Sequence, residues 1–243
     1  MTVRAFRVRV TFLVAIVLLA ATWTGEAPAR ALMPALVKPS QELAALRSPH
    51  SALSQPVTGS RSIVLLPART PITEARTVLP VLRHKISRDG HRWLQVRLPG
   101  RPNGRTGWIR RRGTVAIWTN WHIVVNTSSR QVTVYQHGRR SRVFKAIVGK
   151  PSTPTPRGEF FVEESIRLPA DAVGAPFALA LSARSTVFQE FAGGPGQIAL
   201  HGLTNVGGTL GTAVSHGCVR LDNGAMRWLV GRIGSGVPVT IMR

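Results

Sequence analysis

Val214-Ser215-His216-Gly217-Cys218-Val219-Arg220 carries the only cysteine of the 243-residue chain, and Ala199-Leu200-His201-Gly202 places a second histidine upstream of it. A lone thiol with histidines nearby is the material of a cysteine nucleophile. The thiolate, rather than the thiol, attacks a carbonyl, so His201 or His216 would have to accept the proton or supply positive charge. Gly217 lets the backbone approach a substrate closely. The N–H groups of Gly217 and Cys218 can meet the oxyanion of a tetrahedral intermediate. Two other readings use the same residues. Free cysteine is among the most buried residue types and can be purely structural. One Cys and two His can also bind zinc, although no carboxylate falls at a recognisable ligand spacing. His-Gly directly before the one cysteine is expected by chance about once in 400 at this composition, which favours the nucleophile.

Working outward, the segment after the cysteine is the clearest helix of the chain. Asp222 is a good N-cap, and Ala225, Met226, Leu229, Val230 and Ile233 recur at helical spacing. Gly234 can end the helix, and Pro238 forbids its continuation. Cys218 would then sit just before a helix N-terminus, where the dipole favours a thiolate. Val237–Ile241 reads as a closing strand. Upstream, His122–Asn126, Gln131–Gln136 and Arg142–Val148 alternate as strands, with His137-Gly138 as a hairpin turn. Thr153-Pro154-Thr155-Pro156 cannot be an interior strand, because proline lacks the N–H. Residues 164–180 read as a loop over a sheet, and Gln197–Leu200 as a strand ending at His201. Histidines 50, 84, 91, 122 and 137 lie outside the cluster and read as surface or turn residues.

His201-Gly202 followed by Ser215-His216-Gly217-Cys218-Val219-Arg220 resembles the signature of L,D-transpeptidases with the YkuD-type catalytic domain. Gly149–Phe160, which contains Thr153-Pro154-Thr155-Pro156-Arg157-Gly158, is similar to another family segment. Gly174–Leu179 and Gly196–Gly202 also fit, so the resemblance covers residues 120–243. It implies a YkuD-type β-sandwich and transfer between peptidoglycan stem peptides. Cys218 would form a thioester with a tetrapeptide stem and release D-alanine, and an acceptor amine would resolve it to a 3→3 cross-link. His201 would be the general base, oriented by the Gly202 carbonyl. His216, with the Gly217 and Cys218 N–H groups, would stabilise the oxyanion. Ser215 would fix the loop and touch substrate, and Arg220 would pair with a stem carboxylate or form a structural salt bridge. Residues 164–180 would form a lid. No cofactor or metal is required, and carbapenems would be covalent inhibitors. Hydrolysis of the same acyl-enzyme, an L,D-carboxypeptidase activity, and a non-catalytic wall-binding role are the rivals.

The charge constrains the partners. Lys and Arg total 32 against 10 acids, a net +22. Such a surface seeks polyanions. The N-terminus has the basic, apolar, small-residue order of a secretory signal: Arg4, Arg7 and Arg9, an uncharged Val10–Trp23, then Ala29-Arg30-Ala31. Cleavage after Ala31 removes a net +3 and leaves +19. An uncleaved membrane anchor is the alternative. An exported chain meets anionic wall polymers or a membrane surface rather than nucleic acid.

The rest of the chain divides by composition. Residues 1–31 read as the signal peptide and 32–58 as a Pro-rich linker, in which Ser40–Leu46 could form a short helix. Residues 59–117 read as short strands separated by turns. Trp93-Leu94-Gln95-Val96 and Gly107-Trp108-Ile109 resemble the last strands of a bacterial SH3-like barrel. Its tryptophans would either recognise wall material or pack a small core. Arg110-Arg111-Arg112 closes this part as a solvated basic face, and residues 120–243 form the catalytic domain. The expected fold class is mainly β.

Overall fold

The computed structural model describes residues 2, 37–190 and 194–243. The expected signal segment, residues 1–31, lies outside them apart from Thr2. Among the described residues no helix is long and apolar enough to cross a membrane.

The first half builds one sheet. Its strands are β1 (Gln41–Leu46), β2 (His50–Leu53), β3 (Ser62–Leu66), β4 (Val78–Ile86), β5 (Arg92–Arg97), β6 (Thr106–Arg110) and β7 (Thr114–Thr119). Their order is β3-β2-β6-β5-β4-β1-β7. Leu46, Ala52, Leu79, Val96 and Ile109 bury themselves in its core. Two expectations fail here. Residues 41–46 and 50–53, read as part of a linker, are strands, and Ser40–Leu46 supplies a strand rather than a helix. The reason is tertiary: β1 lies between β4 and β7 and hydrogen-bonds to both, and Leu43–Leu46 are all buried. A seat between two strands outweighs local propensity, and Pro39 and Pro49 flank β1 rather than break it. Trp93 is 1% exposed, but it lies outside the core of this sheet, with its ring covered by the Arg110 guanidinium.

The second half follows the expected alternation more closely. Its strands are β8 (Trp121–Asn126), β9 (Gln131–Gln136), β10 (Arg139–Lys145), β11 (Val148–Gly149), β12 (Gly158–Arg167), β13 (Phe177–Arg184), β14 (Gln197–His201), β15 (Ala213–Ser215), β16 (Val219–Arg220) and β17 (Pro238–Met242). Eight of them form a sheet in the order β10-β9-β8-β17-β12-β13-β14-β16, and β11 pairs with β15. In β9, Val132 and Val134 point into the core while Gln131 and Thr133 do not, the period-two pattern of a half-buried strand. The turn at His137-Gly138 takes positive φ at both residues. Thr153–Pro156 stays outside any strand. The loop read over 164–180 is shorter than expected, because β12 runs to Arg167 and β13 starts at Phe177.

Helix α1 spans Asn223–Val230, capped by Asp222, whose side chain accepts from the Ala225 N–H at 2.8 Å. It ends at Gly231 rather than Gly234. Ala225, Met226 and Leu229 bury against the sheet.

The two sheets meet at β12. Successive strand residues point to opposite faces, and Phe160 and Phe161 use both. Phe160 belongs to the core of the eight-stranded sheet and Phe161 to that of the seven-stranded one. Burying a phenylalanine contributes about 1.5–3 kcal/mol, so Phe161 ties the halves by packing. Close by, the Glu164 carboxylate accepts from the Thr73 N–H and hydroxyl, both at 2.8 Å.

Candidate active site

Strand pairing brings the two motifs together. Strands β14 and β16 run parallel with Leu200 opposite Val219 and His201 opposite Arg220. The Leu221 N–H donates to the His201 carbonyl at 2.9 Å. The turn holding His216, Gly217 and Cys218 therefore leads straight into a strand beside the one that ends at His201. A second segment holds this turn from behind. Thr153 Oγ1 donates to the Ser215 carbonyl at 3.2 Å, Thr155 Oγ1 donates to the Gly217 carbonyl at 2.9 Å, and the Lys150 N–H donates to the Ser215 carbonyl at 3.0 Å. The prolines keep this segment out of the sheet and leave its threonines facing the turn. That supporting role was missed from sequence; paired Thr-Pro steps were its only signal.

His201 is held on one side. Its Nδ1 lies 2.9 Å from the Gly202 carbonyl oxygen. A carbonyl only accepts, so the neutral ring carries its proton on Nδ1 and Nε2 keeps the lone pair. Burial pushes the imidazole below its ordinary pKa; the Gly202 bond opposes this and the Arg220 charge adds to it. The face of the ring is closed by Gly174, where a Cβ would stand 2.5 Å from His201 Nδ1. Gly174 is locked in place, since its N–H donates to the Thr204 carbonyl and its carbonyl accepts from the Gly202 N–H, both at 2.8 Å. Asn223, at the start of α1, accepts from the Leu203 N–H at 2.9 Å and donates to Thr204 Oγ1 at 2.8 Å. Neither Gly174 nor Asn223 was singled out as a support from sequence.

Cys218 is half-buried and reduced. Burial pushes its thiol above the ordinary value, with the Ala199 backbone and the Arg220 charge acting in the other direction. The expected thiolate at a helix N-terminus is therefore corrected: β16 and the Asp222 cap separate Cys218 from α1, and desolvation outweighs the nearby positive charge. Both directions favour a neutral thiol beside a neutral imidazole, an arrangement that needs a base during attack.

Two further expectations change. Ser215 is fully buried, at 0% exposure. Its hydroxyl donates to the Cys218 carbonyl at 2.6 Å and accepts from the Gly217 N–H at 3.2 Å. Ser215 thus braces the turn and is closed to substrate, and the Gly217 N–H is engaged inside the turn rather than offered to an oxyanion. Gly217 itself has φ +123°, which L side chains rarely adopt. His216 is exposed, its ring centroid 6.1 Å from that of Phe188. Arg220 donates from Nη1 to the Gly207 carbonyl at 2.6 Å, and its buried Nε has no hydrogen-bond partner among the described residues. Among the described residues it forms no salt bridge, so the structural ion pair considered for it is not made.

His201, His216, Cys218 and Arg220 line one cavity of about 90 Å³, with Phe188, Gln197 and Ile198 among the other residues of its wall. That wall is gripped from the seven-stranded sheet. Arg101, in the turn between β5 and β6, donates to the carbonyls of Ser185 (3.1 Å), Phe188 (2.6 Å) and Pro195 (2.9 Å). Asn103 exchanges two hydrogen bonds with the Arg184 backbone, both at 2.8 Å. Among the described residues no group of three His, Cys, Asp or Glu side chains is placed to hold a metal.

The other histidines were not all surface residues. His50 is 7% exposed, with a carbonyl oxygen within hydrogen-bond distance of each ring nitrogen. His122 is half-buried, with Nε2 2.8 Å from Thr240 Oγ1.

The L,D-transpeptidase catalytic domain profile (YkuD) matches residues 120–241. YkuD of Bacillus subtilis, a protein named for L,D-transpeptidase activity, is 32% identical over 123 residues, covering 51% of this chain and 66% of the relative. Its Bacillus licheniformis counterpart is 31% identical over 121 residues, 50% of this chain and 65% of the relative. The chain thus spans just under two thirds of the length of these relatives. Among solved structures, L,D-transpeptidase 3 from Mycobacterium tuberculosis superposes with a TM-score of 0.46 at 17% identity, over 69% of this chain and 91% of that one.

Proposed function

The chain belongs to the L,D-transpeptidase catalytic-domain (YkuD) family, and on that premise we propose that it is a cysteine-dependent acyltransferase of peptidoglycan stem peptides. The observation that carries the proposal is one cavity lined by Cys218, His201, His216 and Arg220, with the His201 tautomer set by the Gly202 carbonyl. As Cys218 Sγ attacks the carbonyl before the terminal D-alanine of a tetrapeptide stem, its proton passes to His201 Nε2. The carbon–nitrogen bond then breaks, and His201 returns that proton to the leaving amine. The thioester that remains is attacked by an acceptor amine, whose proton goes to His201 while the carbon–sulfur bond breaks and the thiol re-forms. The product is a 3→3 cross-link. The Cys218 N–H and His216 stabilise the oxyanion, and Arg220, with no carboxylate partner among the described residues, receives a substrate carboxylate through its guanidinium.

The proposal extends to place. The basic, apolar, small-residue order of residues 1–31 supports export to the wall space, where the substrate is. Incubation with stem tetrapeptides tests the chemistry: released D-alanine, a thioester on the protein and a cross-linked dimer are expected. Release of D-alanine without dimer would make the chain a carboxypeptidase instead. Absence of D-alanine release from folded protein would overturn the acyl-transfer reading.

A further inference from the structure

A cavity of about 1110 Å³ opens on the seven-stranded sheet, between the β1–β2 turn, the β4–β5 turn and the β6–β7 turn. Arg92, Arg110, Arg111, Arg112 and His91 line it, and among the described residues no Asp or Glu does. Among the described residues none of the four arginines pairs with a carboxylate. Asp89 sits at the His91 end of the groove: it accepts from Ser87 and from Thr58 Oγ1 at 3.1 Å and lies 3.7 Å from His91, so the arginines rather than His91 carry the unpaired charge.

The walls are built rather than loose. The Arg111 N–H donates to the Arg92 carbonyl at 2.9 Å, and Trp93 sits opposite Arg110 in the register. The Arg110 guanidinium lies 4.3 Å from the centre of the Trp93 ring and donates to Thr58 Oγ1 at 2.7 Å. His50, buried at the base, faces the Ser48 carbonyl at 2.7 Å and the Arg112 carbonyl at 2.9 Å. One imidazole thus lies within hydrogen-bond distance of a carbonyl in the β1–β2 turn and of one in the β6–β7 turn, donating to one of them as a neutral ring.

We propose that this groove binds a linear phosphodiester polymer, one phosphate after another along the arginines. Three arguments choose that occupant. The cations are all arginine or histidine, and the guanidinium fork matches phosphate oxygens two at a time. The volume exceeds the ~300–1,000 Å³ of a small-ligand pocket, which suits a chain of repeated charges. A concave site admits a narrow chain and keeps a flat bilayer out. Single-stranded nucleic acid offers the same phosphates but is held by stacking its bases on aromatic faces; the aromatic ring here, Trp93, is buried and already covered by Arg110. The inference stands apart from the acyl-transfer reading, so Cys218→Ala protein should bind the polymer unchanged.

The test uses the full chain and poly(glycerol phosphate) as probe, titrated over a range of salt. The variant Arg92→Gln/Arg111→Gln/Arg112→Gln is compared with Arg139→Gln/Arg140→Gln/Lys145→Gln, which removes the same charge from exposed strand β10. The groove variant should weaken binding at least about tenfold and flatten the salt dependence by about two released counterions, against less than about threefold for the β10 variant. Both should keep wild-type acylation by a carbapenem. If the groove variant loses acylation, single Arg92→Gln and Arg112→Gln changes, each expected to cost about threefold, carry the comparison. Equal losses in the groove and β10 variants would overturn the proposal in favour of diffuse charge. Groove-dependent binding of anionic phospholipid vesicles or single-stranded DNA, without binding of poly(glycerol phosphate), would overturn it in favour of those partners.

Discussion

Replacing Gly174 by alanine tests whether the placement of His201 matters to catalysis. The added Cβ would lie 2.5 Å from His201 Nδ1 and 2.9 Å from Cγ. Ordinary contact begins near 3.4 Å, so ring and backbone must separate by about 0.9 Å. The backbone has little freedom to give, because Gly174 is hydrogen-bonded through both its N–H and its carbonyl. Its φ of +85° adds strain for any L side chain, of order 1 kcal/mol. The imidazole therefore moves, stretching its bond to the Gly202 carbonyl. A misplacement of about 1 Å costs on the order of 10²-fold in rate. Stopped-flow acylation by a carbapenem, with thermal unfolding alongside, should show a rate loss of that order in Gly174→Ala protein that remains folded. A folded variant acylating within about threefold of wild type would refute the argument that this contact positions the base.

Other changes probe the rest of the account. Arg101→Ala removes three hydrogen bonds to the cavity wall; we expect about tenfold slower acylation and faster hydrogen exchange at residues 185–190, and unchanged kinetics would mean the wall stands without it. Ser215→Ala strips the Gly217 N–H and Cys218 carbonyl of their partner and should cost about 1–3 kcal/mol in urea unfolding. Burial lowers His122 to about 4, below its unfolded value. Its contribution to stability is therefore present above about pH 6.5 and lost as pH falls towards 4, up to about 3 kcal/mol. His122→Gln should accordingly show a smaller stability drop between pH 7 and pH 4.5 than wild type, and identical drops would contradict this assignment.

The candidate site was legible in sequence because it sits in short contiguous motifs: His201 ends a recognisable strand, and Cys218 follows a His-Gly step. The helix after it was equally plain, since Asp222 and the spacing of Ala225, Met226 and Leu229 are local signals. What sequence left hidden depends on distant partners. Leu43–Leu46 became a strand only because β4 and β7 flank it. The resemblance gives Ser215 two roles, fixing the loop and touching substrate; its hydrogen bonds fit the first and its burial closes the second. The raised thiol reflects desolvation, which charge and dipole arguments from neighbouring residues cannot supply. Gly174 and Arg101 act from 27 and 84 or more residues away from the groups they touch, so nothing beside them in the chain announces it.

The central claim is that Cys218 is an accessible acyl-accepting thiol. Its most direct test is the intact mass of the folded protein after exposure to a carbapenem, beside Cys218→Ala. The account predicts one adduct on the wild type and none on the variant. No adduct on folded wild type, or an equal adduct on both proteins, would contradict it.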